Sequence, residues 1–316
     1  MRFPDGLSAF PITPADDRGR VDTAALRGLV ARLVGAGTDS IGLLGSTGIY
    51  MYLTREERRR AVEAAVDAAA GRAPVIVGVG ALRTDEAIRL ARDAGAIGAA
   101  AGLLSAASYT PLTDDEVFEH VAAVARESGL PVVLYDNPAT THFRFTPGLV
   151  ARLARVPGVV AIKNPGWDAA DAGRLVAEQR AVVPAGFSVG CSGDWLAAET
   201  LIAGADTWYS VLGGLFPKVC SGIVKAARAG DAAEARRLDA MLAPVWALFR
   251  QHSSLRVVYA LAGLMDLCHV DPPRPILPLP DPARRQAAEV LASLPAAATG
   301  LAPGAARRLN RGTDMR

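Results

Sequence analysis

Short apolar runs alternate with amphipathic segments along residues 7–228 of this 316-residue chain. Eight of the runs have the length and apolar composition of buried strands and are bounded by turn residues. They cover residues 7–13, 40–46, 74–80, 96–105, 131–137, 159–164, 187–192 and 206–212. The segments between them are rich in Ala, Leu, Arg and Glu. Two of these segments begin with predicted capping boxes, Thr54 with Glu57 and Thr113 with Glu116.

Eight strands, each followed by a helix, within about 220 residues predict an α/β fold, a (β/α)8 TIM barrel over residues 1–228. A doubly wound open sheet is the alternative. That fold has a glycine-rich phosphate loop after its first strand, whereas residues 11–16 here contain two prolines and no glycine. The pattern therefore favours the barrel.

After residue 228 only helical patterns remain, over residues 231–250, 254–267 and 282–293. They predict a C-terminal helical extension of the barrel at residues 229–296. Residues 297–316 are rich in Ala, Gly, Pro and Arg without a core-forming pattern, which predicts a disordered tail.

Composition excludes several classes of function. Apolar residues make up 51% of the chain, charged residues 21%, and the net charge is +2, which argues against a nucleic-acid partner. Cys191, Cys220 and Cys268 are widely spaced and the histidines form no cluster with ligand spacing, so no metal site is expected. Without a signal-peptide core or a membrane-spanning run, the expected protein is soluble and cytoplasmic.

Lys163 is one of only three lysines, against 31 arginines, and it lies where a predicted buried strand ends. Burial lowers the pKa of a lysine and frees the neutral amine that a Schiff-base nucleophile needs. The alternative is a side chain that extends from the strand end into solvent. Alternation along the strand places Lys163 on one face with Ala161 and Val159, and Val160 with Ile162 on the other.

Other polar side chains lie at the carboxyl ends of predicted strands, where barrel active sites are found. Residues 45–48, Gly-Ser-Thr-Gly, offer successive N–H groups and two hydroxyls, which suits a carboxylate or phosphate, although a plain strand–helix turn has the same composition. Tyr135 ends the neighbouring strand and could share a substrate with Lys163, although a lone tyrosine there is more often a core residue.

Together these residues resemble the dihydrodipicolinate synthase / N-acetylneuraminate lyase family of class I aldolases, over roughly residues 5–295. The matching blocks are residues 45–48 with 53–57, 134–138, 161–163, and 209–211 with 216–217. Their order and spacing also agree with the family.

The resemblance implies a role for each matching position. Lys163 would form an imine with a 2-oxo acid, usually pyruvate, so that no cofactor is needed. Tyr135 would shuttle protons, and Ser46 would relay a proton to it. Thr47, through its backbone and hydroxyl, and Gly48, through the same turn, would hold the acid's carboxylate.

Further positions carry implications about the pocket walls and the assembly. Tyr109 matches a tyrosine that reaches into a neighbouring subunit's site, which implies a homo-oligomer, a dimer or a tetramer. The carbonyl of Tyr209 matches a position that lines the pocket. Three positions depart from the family: Ile49 replaces a glutamate, Ser108 a tyrosine, and Thr140 the arginine with which dihydrodipicolinate synthases recognise their second substrate.

The leading hypothesis is a Schiff-base-forming lyase that joins or cleaves pyruvate, or a related 2-oxo acid, and an aldehyde. Thr140 argues against dihydrodipicolinate synthase activity, because a hydroxyl cannot replace a bidentate guanidinium. One alternative is a dehydratase of 2-keto-3-deoxy acids that uses the same imine. Another is a non-catalytic relative that binds a 2-oxo acid, as the changed walls at Ile49 and Ser108 would allow.

Overall fold

Residues 3–299, which the computed structural model describes, include eight parallel strands that close into a barrel in the order of the chain. The strands are β1 (Gly6–Ala9), β2 (Ser40–Leu43), β3 (Val75–Gly78), β4 (Ala101–Ser105), β5 (Val132–Tyr135), β6 (Val159–Asn164), β7 (Ser188–Cys191) and β8 (Thr207–Ser210). The predicted (β/α)8 TIM barrel is confirmed.

Helices follow every strand and cover the outside of the barrel. They are α1 (Thr23–Gly35), α2 (Arg55–Ala69), α3 (Thr84–Ile97), α4 (Asp114–Ser128), α5 (Pro138–Thr141), α6 (Pro147–Leu153), α7 (Ala172–Val182), α8 (Ala197–Ile202) and α9 (Pro217–Arg228). The strand predicted over residues 96–105 starts too early, because residues 96–97 still belong to α3. Gly98, with φ 110°, ends that helix.

Only one of the two predicted capping boxes forms completely. At α4 the Thr113 hydroxyl accepts from the backbone N–H of Glu116, and the Glu116 carboxylate accepts from that of Thr113. At α2 the Thr54 hydroxyl accepts from the backbone N–H of Glu57 in the same way. The Glu57 carboxylate, however, accepts from the backbone N–H of Val21 at 2.7 Å. It thereby ties the first barrel connection to α2.

A second, smaller core lies inside the barrel, distinct from the main core between strands and helices. Its buried members are Phe10, Ile76, Ala101, Leu103, Val133, Tyr135, Ala161 and Tyr209. They come from β3, β4, β5, β6 and β8 and from the residue that follows β1. The barrel is therefore a packed core whose upper end carries three aromatic rings.

An irregularity in β6 changes which side chains face this inner core. Val132 of β5 pairs with Val159, but the next residue, Val133, pairs with Ala161, so β6 has one extra residue at Val160. Such a bulge reverses the facing of the residues before it. Val159 lies in the outer core and Val160 contacts the inner core, so the predicted facing of these two residues is wrong. It is confirmed for Ala161 and Ile162.

The C-terminal extension consists of α10 (Ala232–Ala240), α11 (Ala243–His252), α12 (Ser254–Leu264), α13 (Asp281–Ser293) and α14 (Ala296–Thr299). One helix was expected over residues 231–250, and the structure divides it between α10 and α11. Pro244 explains the break, since a proline removes a helical N–H and clashes with the carbonyl one turn earlier. The predicted boundary after residue 228 falls between α9 and α10, and α10 contacts α8 and α9.

The predicted tail begins inside α14, where Ala298 and Thr299 are buried. Residues 300–316, the rest of that prediction, lie outside the described residues. Among residues 3–299, no helix is both long enough and apolar enough to cross a membrane.

Gly78 lets β3 lie close to the loop that carries Ser46 and Thr47. A Cβ at Gly78 would lie 1.7 Å from the carbonyl oxygen of Leu44. We therefore expect Gly78→Ala to destabilise the fold by about 1–3 kcal/mol, because backbone would have to move. Gly28→Ala is the matched control. A Cβ there meets nothing within 4 Å on α1, and the change should stabilise the helix by about 0.5–1 kcal/mol. Urea unfolding of both variants measures this, and equal midpoints would contradict it.

Candidate active site

Lys163 lies near the end of β6 with its side chain buried inside the barrel at 2% exposure. Its amine is surrounded by aromatic faces. Nζ lies 4.1 Å from the ring centre of Tyr135, 4.3 Å from that of Phe10 and 5.7 Å from that of Tyr209. The prediction of a buried lysine is confirmed, and the alternative of a side chain that reaches solvent is excluded.

The electrostatic setting of Lys163 favours the neutral amine. Burial lowers the pKa of Lys163 from 10.5 to about 7, because the charged form loses its hydration. The nearby Asp194 carboxylate acts in the opposite direction but does not cancel the effect of burial. Close to neutral pH a substantial fraction of this amine is therefore unprotonated and nucleophilic.

Tyr135 stands beside Lys163 because β5 and β6 place the two residues in register. The phenol oxygen of Tyr135 lies 3.4 Å from Ser46 Oγ and accepts a hydrogen bond from Asn137 Nδ2 at 2.9 Å. Burial raises the pKa of Tyr135, and the hydrogen bonds of Ser46 and Asn137 oppose that rise. The phenol is therefore protonated near neutral pH and connected to the loop after β2 through Ser46.

The loop after β2 contacts the inner core through Gly45, where a Cβ would come within 2.8 Å of the Phe10 ring. Thr47 is buried in this loop. Left-handed backbone occurs on both sides of the turn, at Leu44 (φ 54°) and at Ile49 (φ 55°). Residues 45–48, between these two positions, form the turn for which the sequence predicts an anion site.

Ile49 is buried in the main core with a left-handed conformation that β-branched residues rarely adopt. A strained residue of this kind costs on the order of 1–3 kcal/mol and persists because the surrounding structure fixes it. Here an apolar side chain fills the position where the family resemblance expects a glutamate. The turn of residues 45–48 is thus supported by apolar packing at Ile49.

Of the other predicted site residues, Tyr209 is buried inside the barrel, whereas Tyr109 and Thr140 are exposed. Tyr209 is buried and its ring meets Phe10 edge to face, with ring centres 6.2 Å apart. Tyr109 is 97% exposed, so the single chain does not bring it to Tyr135. Thr140 is also exposed, and its hydroxyl donates to the carbonyl of Asn137 at 3.2 Å.

Sequence reasoning missed Asp194, a buried carboxylate after β7. It accepts hydrogen bonds from Trp208 Nε1 at 3.0 Å and from the backbone N–H of Leu212 at 2.7 Å. Burial raises the pKa of Asp194, and these hydrogen bonds oppose the rise. The carboxylate fixes the ends of β7 and β8 near Lys163. No sequence signal distinguishes it from an ordinary loop aspartate.

A second hydroxyl pair lies on the other side of Tyr135. Ser105 pairs in register with Tyr135, and its Oγ lies 2.8 Å from the phenol oxygen of Tyr50. The Arg58 guanidinium lies over the Tyr50 ring, 5.3 Å from its centre. Its position two residues after the predicted anion-binding turn is the one sequence feature that could have indicated that Tyr50 lies near the site.

Among residues 3–299, no group of three or more His, Cys, Asp or Glu side chains could hold a metal ion.

The fold and the site together define a barrel enzyme of the class I aldolase type, with a buried lysine beside a tyrosine at the carboxyl ends of the strands. Comparison with known proteins makes the assignment more specific. The sequence model of the dihydrodipicolinate synthetase family matches residues 4–294, so this chain belongs to that family of lyases. The predicted family and enzyme class are confirmed.

The similar proteins are named as dihydrodipicolinate or 4-hydroxy-tetrahydrodipicolinate synthases. The 4-hydroxy-tetrahydrodipicolinate synthase of Methylococcus capsulatus is 39% identical over 235 residues, which are 72% of this chain and 79% of the relative. The solved dihydrodipicolinate synthase of Agrobacterium tumefaciens is 52% identical with a TM-score of 0.90, covering 92% of this chain and 98% of its own. The chloride-inhibited synthase of Acinetobacter baumannii, solved with pyruvate, is 30% identical with a TM-score of 0.83, covering 91% of this chain and 97% of its own.

The lowered pKa of Lys163 can be measured directly, since the chain has only three lysines. With 13C-labelled lysine, we expect one NMR signal to titrate with a midpoint at about 7, where burial places it. Lys163→Met should remove that signal and no other. A midpoint for Lys163 near 10.5, the value from which burial lowers it, would contradict the buried site.

Proposed function

We propose that this protein forms an imine between Lys163 and pyruvate or a related 2-oxo acid, and joins or cleaves that acid and an aldehyde. The observation that carries the proposal is the buried amine of Lys163, enclosed by three aromatic rings and adjacent to the Tyr135–Ser46 pair. The pyruvate complex of the Acinetobacter relative supports the choice of acid.

The proposed chemistry uses the amine, phenol and hydroxyl groups of this site. The unprotonated Lys163 amine adds to the keto carbon of the acid, and loss of water leaves an iminium. The iminium withdraws electrons, so the adjacent carbon loses a proton and an enamine forms. The enamine carbon attacks the aldehyde carbon, and the aldehyde oxygen takes up a proton. Water then releases the product and restores the free amine.

Two groups assist these steps. Tyr135 lies against Lys163 and can give a proton to the hydroxyl that leaves as water, then recover one from the substrate. Ser46 connects this phenol with the turn of Thr47 and Gly48, which would hold the carboxylate of the acid. Fixing the acid at both ends orients its reacting carbon, which is a large part of such catalysis.

For the second substrate we propose an aldehyde other than the one used by dihydrodipicolinate synthases, with sugar-derived aldehydes as the first class to test. The relatives carry the synthase name, but this chain has Thr140 where the resemblance expects a carboxylate-binding arginine. The Thr140 hydroxyl is engaged by the Asn137 carbonyl. A dehydratase would use the same imine and release a dehydrated 2-oxo acid, so product analysis separates the two reactions.

The imine and enamine steps can be tested without knowing the aldehyde. We expect borohydride to trap pyruvate on the wild type at Lys163, and the wild type to exchange the methyl protons of pyruvate in D2O. Lys163→Ala should abolish both. Tyr135→Phe should slow exchange about 100-fold or more, the usual contribution of a positioned acid or base.

Mass spectrometry and NMR measure these two outcomes. Lys225→Ala, the same change at an exposed lysine, is the control and should behave as wild type. If the folded wild type gives neither adduct nor exchange, pyruvate is not the acid. Other 2-oxo acids, or the non-catalytic alternative, would then be tested.

We further propose a homo-oligomer, a dimer or tetramer, in which Tyr109 completes the site of a neighbouring subunit. Tyr109 is 97% exposed, and Leu82, Met51 and Tyr52 are also exposed large apolar side chains. All four lie in the connections after β2, β3 and β4, on the face of the barrel that carries the site. A cytoplasmic location stays a prediction, in agreement with three buried free cysteines.

Subunit mixing tests whether Tyr109 acts in a neighbour. Tyr109→Ala and Lys163→Ala should each be nearly inactive in proton exchange. Co-expressed, they should regain about one quarter of wild-type activity if two-fold pairs form at random. Each mixed pair then contains one complete site. No recovery in mixed oligomers, or a wild type that is monomeric by size-exclusion chromatography, would contradict the proposal.

A further inference from the structure

We propose that Asn137 is a positioning residue that holds the phenol of Tyr135 with its hydroxyl directed toward Ser46 and the substrate. This inference rests on the proposed function, because it concerns the acid–base step of that reaction.

Asn137 and Tyr135 form a direct hydrogen bond in which the donor and the acceptor are fixed. The amide nitrogen Nδ2 lies 2.9 Å from the phenol oxygen, and an amide NH2 can only donate. The phenol oxygen therefore accepts from Asn137, and its own hydrogen points elsewhere. Ser46 Oγ, 3.4 Å from the same oxygen, lies on a side that this hydrogen can reach.

Asn137 is itself held firmly by the short helix that follows it. Its carbonyl accepts from the backbone N–H groups of Thr140 at 2.9 Å and Thr141 at 3.0 Å. The Thr140 hydroxyl donates to the same carbonyl at 3.2 Å, and Thr141 Oγ1 lies 3.1 Å from it and 3.2 Å from the carbonyl oxygen of Phe143. Pro138 begins the helix and restricts the backbone next to Asn137. The amide is thus presented to Tyr135 from a fixed backbone.

The consequence for the reaction concerns the moment at which Tyr135 gives up its proton. That proton goes to the hydroxyl of the Lys163 adduct, which leaves as water, and a phenolate remains. The Asn137 N–H stabilises the phenolate, since hydrogen bonds to charged groups are stronger than those to neutral ones. The other titratable groups against this phenol are Lys163, whose amine faces its ring, and Tyr50, through Ser105.

This arrangement also gives Thr140 a purpose that differs from substrate recognition. In place of a guanidinium for the second substrate, the chain has a hydroxyl that anchors Asn137. Thr140, which replaces the family's arginine, thus binds Asn137, and Asn137 in turn binds Tyr135.

The test compares Asn137→Asp, Asn137→Leu and wild type. The Asp side chain has the shape of Asn but replaces the donor with a carboxylate oxygen, and Leu removes both polar atoms. We expect both variants to lower the maximal rate of pyruvate proton exchange at least about tenfold, the effect of losing a hydrogen bond to a charged group. The pyruvate concentration at half-maximal rate should change less than about twofold, because the variants keep the groups proposed to bind pyruvate before the reaction.

A second readout separates positioning from structural damage. With 13C-labelled tyrosine, the Tyr135 signal, identified through Tyr135→Phe, should titrate at higher pH in both variants than in wild type. Gln251→Glu, an amide-to-carboxylate change on the exposed end of α11, is the control and should alter neither rate nor titration. If Asn137→Leu does not fold, the isosteric Asn137→Asp decides the question.

The outcomes are distinct from those of the proposed function. After equilibration with saturating pyruvate, borohydride trapping should reach the same extent in wild type and Asn137→Asp, although imine formation and proton exchange are both slower in the variant. Wild-type rates and an unchanged Tyr135 titration in Asn137→Asp would overturn the inference. So would a loss confined to pyruvate affinity, which would make Asn137 a binding residue. A wild type that traps no pyruvate would instead overturn the proposed function.

Discussion

Burial of one amine inside a closed barrel is the constraint on which this site depends. An ammonium ion among Phe10, Tyr135 and Tyr209 would lose its hydration without an adjacent carboxylate hydrogen bond in return, so the neutral form is favoured. The closed sheet makes this possible, because eight strands surround the side chains inside the barrel and Lys163 is buried among them. Burial of this amine lowers the stability of the folded protein and raises the reactivity of Lys163.

Hydrogen bonds join polar groups from different parts of the chain beside the amine. β5 supplies Tyr135, the loop after β2 supplies Ser46, and the turn after β5 supplies Asn137. On the far side, Ser105 and Tyr50 form a second pair. The Tyr135 phenol has two polar partners, Ser46 and Asn137, which hold it in one orientation within an apolar surrounding. This order is what acid–base chemistry at a fixed carbon requires.

The departures from the family pattern lie away from the amine. Ile49 is packed into the core next to the turn of residues 45–48. Thr140 is exposed, and its hydroxyl donates to the Asn137 carbonyl in the same turn. Lys163, Tyr135 and Ser46, which would serve the 2-oxo acid, match the family. The common half-reaction is thus supported by geometry, whereas the wall that would meet the second substrate has a different chemistry.

Errors in the sequence predictions have local physical causes. The bulge at Val160 reversed the facing of Val159 and Val160, because one extra residue shifts a period-two pattern. The break before Pro244 was overlooked, although proline is a known helix breaker. Asp194 was missed because its partners Trp208 and Leu212 are distant in sequence.

The sequence by itself determined the order of strands and helices, the barrel class, and the position of Lys163 and Tyr135 at strand ends. These follow from hydrophobic periodicity and turn residues, which are local properties of the chain. Only the tertiary structure decided that Tyr135 lies in register with Lys163, that the pKa of Lys163 falls to about 7, and that Asn137 donates to the phenol. Register, burial and such contacts depend on side chains from separate elements meeting in space, and no single segment of sequence contains that information.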